Sequence, residues 1–202
     1  MGASRLTPRR AVFLDRDGVL NRNVRNPLTG AFESPLTPAQ FHLISGVTTA
    51  LTELQAAGFL LFLVSNQPNY AKGKSSLATL EAIHRKLEQA LTAARVSFAG
   101  FNYCFHHPAG VVPAYSGPCR CRKPSPYFLL QARDQFALEM RKSWMIGDRP
   151  TDVECGLAAG VRTILVGQNL SPTGVTEEPG SDFVATDLAE AVKIVLREEL
   201  SG

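Results

Sequence analysis

Apolar residues along the 202-residue chain fall into short unbroken runs separated by stretches with helical spacing. "AVFLD" (Ala11–Asp15), "LLFLVSN" (Leu60–Asn66), "FNYCF" (Phe101–Phe105), "SWMIGD" (Ser143–Asp148) and "RTILVG" (Arg162–Gly167) lack the alternation of a strand with one wet face. They predict five strands buried on both sides, as in a parallel sheet. A late "DFVAT" (Asp182–Thr186) predicts a sixth.

Between these runs the period becomes helical. A helix is predicted over Val47–Ala57, stopping at Gly58. The longest covers Ser75–Arg95, with Leu77, Leu80, Ile83, Leu87 and Leu91 along one face. Ser125 and Pro126 read as a cap and first helical position, opening a helix to about Glu139. Thr151–Ala159 ends before Gly160, and Asp187–Glu199 follows the sixth strand. This alternation predicts an α/β fold, doubly wound around a mostly parallel sheet with right-handed crossovers. With no internal repeat and no flexible linker, residues 1–202 are expected to form a single domain. Two long segments carry neither period, Val19–Ser45 and His106–Lys123, and stretches of that length are commonly functional or held by a metal.

Composition narrows the partners. A net charge of +3 suits a small anionic ligand, and no Lys/Arg run with interleaved aromatics points to nucleic acid. No apolar stretch approaches a membrane span, and Ala11–Leu14 is too short for a signal-peptide core. Leu6 breaks the myristoylation pattern, leaving residues 1–10 as a solvated basic tail. A cytoplasmic, monomeric protein is expected, and in a reducing compartment clustered cysteines suggest metal binding more than disulfides.

Three of the four cysteines lie in "NYCFHHPAGVVPAYSGPCRCRKPSP" (Asn102–Pro126). Cys104, His106, Cys119 and Cys121 form a C-x-H…C-x-C set of soft ligands suited to a closed, tetrahedral, structural Zn²⁺ site. His107 is an alternative to His106. Such a site would pin the long loop and aim Arg122 and Lys123. Cys155, Trp144, His42 and His84 are read as core or surface residues.

Ligands of open α/β sheets bind beyond the carboxyl ends of the strands. There the chain places Asp15 and Asp17 with Gly18, then Ser65, Asn66 and Gln67, and finally Asp148, with Asp152 a turn further on. Lys123 precedes another helix start. Phosphoryl transfer through a carboxylate needs this set. Asp15 would attack phosphorus, Asp17 would protonate the leaving oxygen and then deprotonate water, and Ser65 and Lys123 would hold phosphoryl oxygens. Two carboxylates facing a phosphate call for Mg²⁺ on Asp15 and Asp148.

The motifs "FLDRDGVLN", "VSNQ", "CRKP" and "IGDRPTDVECGLAAG" resemble those of the haloacid dehalogenase-like (HAD) phosphohydrolases. The resemblance implies a Rossmann-like core, Asp15 as nucleophile, Asp17 as acid/base, and Mg²⁺ on Asp15, the Asp17 carbonyl and Asp148, supported by Asp152. The C-x-H…C-x-C-R-K-P pattern is similar to the zinc-containing histidinol-phosphate and heptose-bisphosphate phosphatases, and the long loop is more like the latter. It implies a small phosphorylated sugar as substrate, best D-glycero-D-manno-heptose 1,7-bisphosphate cleaved at the 7-phosphate, with histidinol phosphate as the alternative. Substrate contacts are implied for Arg122, Arg149 and the segment Asn23–Asn26, and are expected at Asn66 and Gln67. No segment is large enough for a separate cap domain. Two segments depart from the family: "SNQPNYAKGK" replaces T-N-Q-S-G-I-x-R-G, and "NRNVRNPLTG" lacks H-G-Y-V. A binding module that kept the fold without the reaction is the alternative of a different class.

Overall fold

A computed structural model describes residues 9–27, 30–167 and 180–200, so most of the basic tail lies outside the described residues. In chain order the elements are β1 (Ala11–Leu14), β2 (Val24–Arg25), β3 (Phe32–Glu33), α1 (Val47–Ala56), β4 (Leu60–Asn66), α2 (Leu77–Ala93) and β5 (Phe98–Cys104). There follow α3 (Tyr127–Phe136), β6 (Trp144–Gly147), α4 (Pro150–Ala159), β7 (Arg162–Val166), β8 (Phe183–Ala185) and α5 (Leu188–Leu200).

Six strands form one sheet in the order β5-β4-β1-β6-β7-β8, and every neighbouring pair is parallel. The strands are apolar throughout because both faces are covered. Val12, Leu14, Leu61, Leu63 and Ile146 pack with α1, α2 and α5 in one core. Ala11, Phe13, Phe62, Val64 and Met145 pack with α3 and α4 in the other. From β1 the chain winds outward through β4 and β5, then restarts at β6 on the opposite side of β1. The carboxyl ends of β1 and β6 therefore flank the switch point, where connections diverge and leave a crevice.

Local differences from the sequence pattern have physical reasons. β5 begins at Phe98, three residues early, because Ala99 and Gly100 give no bulky apolar signal. A Cβ on Gly100 would come within 3.2 Å of the Phe62 ring, so the small residue admits that packing. Ser125 caps nothing: its hydroxyl donates to the Arg120 carbonyl at 2.6 Å, and Pro126 takes the N-cap place. α3 closes at Phe136 where Ala137 turns left-handed, short of the expected Glu139. Leu77 starts α2 and is exposed, whereas Leu80, Ile83, Leu87 and Leu91 are buried as expected. Cys155 and Trp144 are core residues, His42 is exposed, and His84 packs on Phe101 and Tyr103. Among the described residues no helix is long and apolar enough to cross a membrane. Among its described residues the segment after β1 holds the antiparallel pair β2–β3 and one 3-10 turn, Pro38–Gln40.

Candidate active site

Where β1 ends, Asp15 leaves the sheet, and where β6 ends, Asp148 does the same. Two glycines permit their close approach. Gly18 turns left-handed at φ 87°, and a Cβ there would lie 2.1 Å from Asp148 Oδ2. A Cβ on Gly147 would lie 2.1 Å from the Asp152 Cβ. Asp152, in the first turn of α4, accepts the Arg149 backbone N–H at 3.1 Å and so closes the helix start over the site. Oxygens of Asp15, Asp148 and Asp152 all lie within 4.8 Å of one another.

One buried ammonium faces these three acids. Lys123 Nζ stands 2.9 Å from Asp15 Oδ1 and 2.5 Å from Asp152 Oδ1, and donates to the Val64 carbonyl at 2.7 Å. Burial works against its charge, but Asp15 and Asp152 outweigh it and raise its pKa. One cation cannot neutralise three carboxylates. Burial, with Asp15 and Asp152 beside it, pushes Asp148 up to about 7. Burial pushes Asp152 up to about 6 although Lys123 opposes it. Asp148 Oδ1 is buried and accepts no hydrogen bond. A hard-oxygen donor set with surplus negative charge and an orphaned carboxylate oxygen fits Mg²⁺.

Asp17 stands apart from this trio. Its Oδ1 accepts Arg16 Nε at 3.1 Å, Arg16 Nη2 at 3.0 Å and Asn21 Nδ2 at 2.9 Å. Its Oδ2 accepts Gln67 Nε2 at 2.6 Å. Burial tends to raise its pKa, but the Arg16 guanidinium and these donors prevail and hold it below the ordinary carboxylate value. Gln67 is buried and shared among Asp17, Arg16 and the Ser65 hydroxyl, which places it behind Asp17 as a support. Ser65 is buried beside it at the end of β4. Asn66 turns toward Lys123 and bonds its backbone.

Above these groups opens a cavity of about 610 Å³, reached by Asp15, Asp17, Asn66, Lys123 and Asp152. Arg122 and Arg149 line it too. Lys72, Lys74 and Asn69 also line it, from the segment that departs from the family pattern, and sequence reasoning did not assign them. Their signal was two lysines in the loop directly after the strand that ends in Ser65-Asn66-Gln67. Lys74 Nζ bonds both oxygens of Glu33 at 3.1 Å and ties β3 to this loop, bringing exposed Phe32 to the rim. Asn23 Nδ2 lies 3.4 Å from Asp148 Oδ2, next to the acids. Asn26 instead bonds Glu33 within the hairpin at 3.3 Å and does not line the cavity.

The cysteine segment converges as well. Sγ–Sγ distances are 3.3 Å for Cys104–Cys121, 3.7 Å for Cys104–Cys119 and 3.7 Å for Cys119–Cys121. His106 Nδ1 lies 3.6 Å from Cys121 Sγ and 4.0 Å from Cys104 Sγ. Ligands 2.3 Å from a tetrahedral zinc would be separated by about 3.8 Å, so the four atoms are spaced for that ion. His107 faces elsewhere, its Nδ1 accepting the Ala109 N–H at 3.1 Å. Arg122 Nη1 donates to the His106 carbonyl at 3.2 Å, which links the cluster to the cavity wall.

Residues 120–191 match the HAD-hydrolase-like family signature, a span that holds Lys123, Asp148 and Asp152. The chain is 34% identical over 189 residues to D-glycero-beta-D-manno-heptose-1,7-bisphosphate 7-phosphatase of Escherichia coli K12, covering 94% of this chain and 95% of that protein. The chain belongs to the HAD-like phosphatases. The same named phosphatase of Rhodopseudomonas palustris is 33% identical over 95% of this chain and 93% of its own length. In three dimensions this HAD-like phosphatase superposes on the D,D-heptose 1,7-bisphosphate phosphatase of B. bronchiseptica, solved with magnesium and phosphate. The TM-score is 0.76 at 26% identity, over 94% of this chain and 99% of that one.

Proposed function

We propose that this HAD-like phosphatase is a Mg²⁺-dependent phosphomonoesterase that removes the 7-phosphate of D-glycero-D-manno-heptose 1,7-bisphosphate. One observation carries the reading: Asp15 stands at the end of β1, paired with buried Lys123 at 2.9 Å, under a cavity lined by Lys72, Lys74, Arg122 and Arg149. A nucleophile, a charge-neutralising ammonium and cations for further anionic groups suit a bisphosphate. The names carried by the relatives support the sugar.

In this mechanism an Asp15 oxygen attacks phosphorus and the ester oxygen departs, taking a proton from Asp17. The aspartyl-phosphate so formed is attacked by water, whose proton passes to Asp17 as Asp15 is released. Lys123 and Ser65 offset the charge that grows on the phosphoryl oxygens. Mg²⁺, held by Asp15, the Asp17 carbonyl and Asp148 with Asp152 in support, would neutralise the anions that must meet. Asp17 is ionised and fully bonded in the free protein, so binding of substrate must release one of its oxygens and let it take up a proton from solvent. That proton goes to the leaving oxygen and is restored from the attacking water. Zn²⁺ on Cys104, His106, Cys119 and Cys121 would be structural, and thiolate ligands suit a reducing cytoplasm.

The test is phosphate release with Mg²⁺ from heptose 1,7-bisphosphate and histidinol phosphate side by side, with Asp15→Asn as the blank. Strong preference for the bisphosphate, with loss of the 7-phosphorus signal by NMR and no turnover in the variant, is the expected result. Preference for histidinol phosphate would overturn the substrate, and an active Asp15→Asn would overturn the mechanism.

A further inference from the structure

The loop between β4 and α2 carries a buried side chain that the reaction above does not use. Asn69 is 6% exposed and lies on the wall of the catalytic cavity. Its Nδ2 is buried without a hydrogen-bond partner, and the amide bonds no described residue. Two ordinary reasons for asparagine in a turn are absent. Asn69 does not have a positive φ, which among described non-glycine residues occurs at Arg95 and Ala137. Nor does its side chain close a turn on the backbone; only its main-chain carbonyl is engaged, by the N–H groups of Lys74 and Ser75.

A buried amide with no partner opposes folding, so this one stabilises neither the loop nor the core. It stands in a polar cavity that the exposed Lys72 also lines. Lys72, three residues on, makes no ion pair among the described residues. Burial and the neighbouring Lys74 and Arg122 disfavour its charge. The loop thus presents one neutral donor and one cation without an ion-pair partner among the described residues, while Lys123 is committed to Asp15 and Asp152.

We propose that Asn69 is a specificity-determining residue whose amide hydrogen-bonds an oxygen of the substrate other than those of the scissile phosphate. That oxygen belongs to a sugar hydroxyl or to the distal phosphate. The assignment rests on the reading of the site as a sugar-phosphate phosphatase.

Asn69→Ala and Asn69→Asp are compared with wild type on heptose 1,7-bisphosphate, heptose 7-phosphate and p-nitrophenyl phosphate, and the thermal midpoint of each unliganded protein is recorded. In Asn69→Ala, kcat/KM falls about three- to tenfold further on the bisphosphate than on the aryl ester, mainly through KM. Its thermal midpoint is not lowered, because no native hydrogen bond is lost. Asn69→Asp, which cannot donate and brings negative charge, falls further. A selective loss on the bisphosphate alone assigns the acceptor to the distal phosphate; equal loss on both sugar phosphates assigns it to a hydroxyl. Parallel loss on sugar and aryl esters, unchanged kinetics, or a loss that tracks a lowered midpoint overturns the proposal. A wild type that favours neither heptose ester is a separate failure, of the substrate reading, visible before any variant is made. The same comparison on the sugar phosphate it does cleave then decides Asn69.

Discussion

Asn66 grips the main chain of Lys123 on both sides of one residue: its Oδ1 accepts the Lys123 N–H at 3.1 Å and its Nδ2 donates to the Lys123 carbonyl at 3.1 Å. The pair joins the end of β4 to the end of the cysteine loop, and it sets where the ammonium emerges. Asn66→Ala keeps every charge in the site but frees that backbone. Misplacing a catalytic group by an ångström costs up to about a hundredfold. Steady-state kinetics of Asn66→Ala should therefore show kcat lowered by about ten- to a hundredfold with little change in KM. A wild-type kcat would show that the Asn66 clamp is dispensable.

Gly18 performs two tasks that no other residue can. Its φ of 87° lies in the left-handed region, and a Cβ would meet Asp148 Oδ2 at 2.1 Å. Gly18→Ala should cost about 1–3 kcal/mol in urea unfolding from the backbone alone. It should also push the Asp148 carboxylate aside, so that Mg²⁺ affinity by calorimetry falls together with activity. Loss of stability with unchanged Mg²⁺ affinity would separate Asp148 from the metal.

The sheet was legible because strands covered on both faces must be apolar throughout, and the short length and turn-bounded ends of "LLFLVSN" and "RTILVG" favour strand over helix. The start of β5 was not, since Ala99 gives no bulky apolar signal and Gly100 is small for the sake of Phe62, which lies in another strand. Asp15, Asp148 and Lys123 could be placed near one another from strand ends alone. The work of Asn66 and Gln67 could not: Asn66 meets a backbone 57 residues away, and Gln67 meets Arg16 51 residues away. Neither partner leaves a local mark in the sequence. His106 was separated from His107 only by the course of the backbone, which bonds His107 N–H to the Tyr115 carbonyl and turns its ring away from the sulfurs.

Loss of the soft-ligand cluster should reach the cavity through Arg122. Cys119→Ser leaves three ligands of the four and should lower bound zinc, measured by metal analysis of the purified protein, well below one equivalent. Because the His106 carbonyl holds Arg122 Nη1 at 3.2 Å, the same variant should raise KM more than it lowers kcat. Full zinc retention would refute the ligand set, and zinc loss with unchanged KM would refute the link.

Metal-free stability should fall as pH rises toward neutrality, the reverse of the usual carboxylate behaviour. Asp148 is pushed to about 7 in the folded protein, by burial first and then by Asp15 and Asp152, against 3.8 as its ordinary value. Between these values the unfolded chain has released the proton and the folded one keeps it. The contribution is therefore fully present below about pH 4 and is lost as pH rises through about 7, with a slope of about 1.4 kcal/mol per unit for one proton. Asp152, raised to about 6, acts in the same direction. Asp17, held low, acts oppositely, losing its stabilisation only as pH falls below its ordinary 3.8, outside this window. Urea unfolding from pH 5 to 7.5 in Mg²⁺-free buffer should show the decline for wild type and a flatter profile for Asp148→Asn. Added Mg²⁺ should stabilise wild type more at pH 7.5 than at pH 5, since at the lower pH it must displace a proton. Parallel profiles for the two proteins would mean that Asp148 is ionised throughout and that Lys123 alone suffices to hold the three acids together.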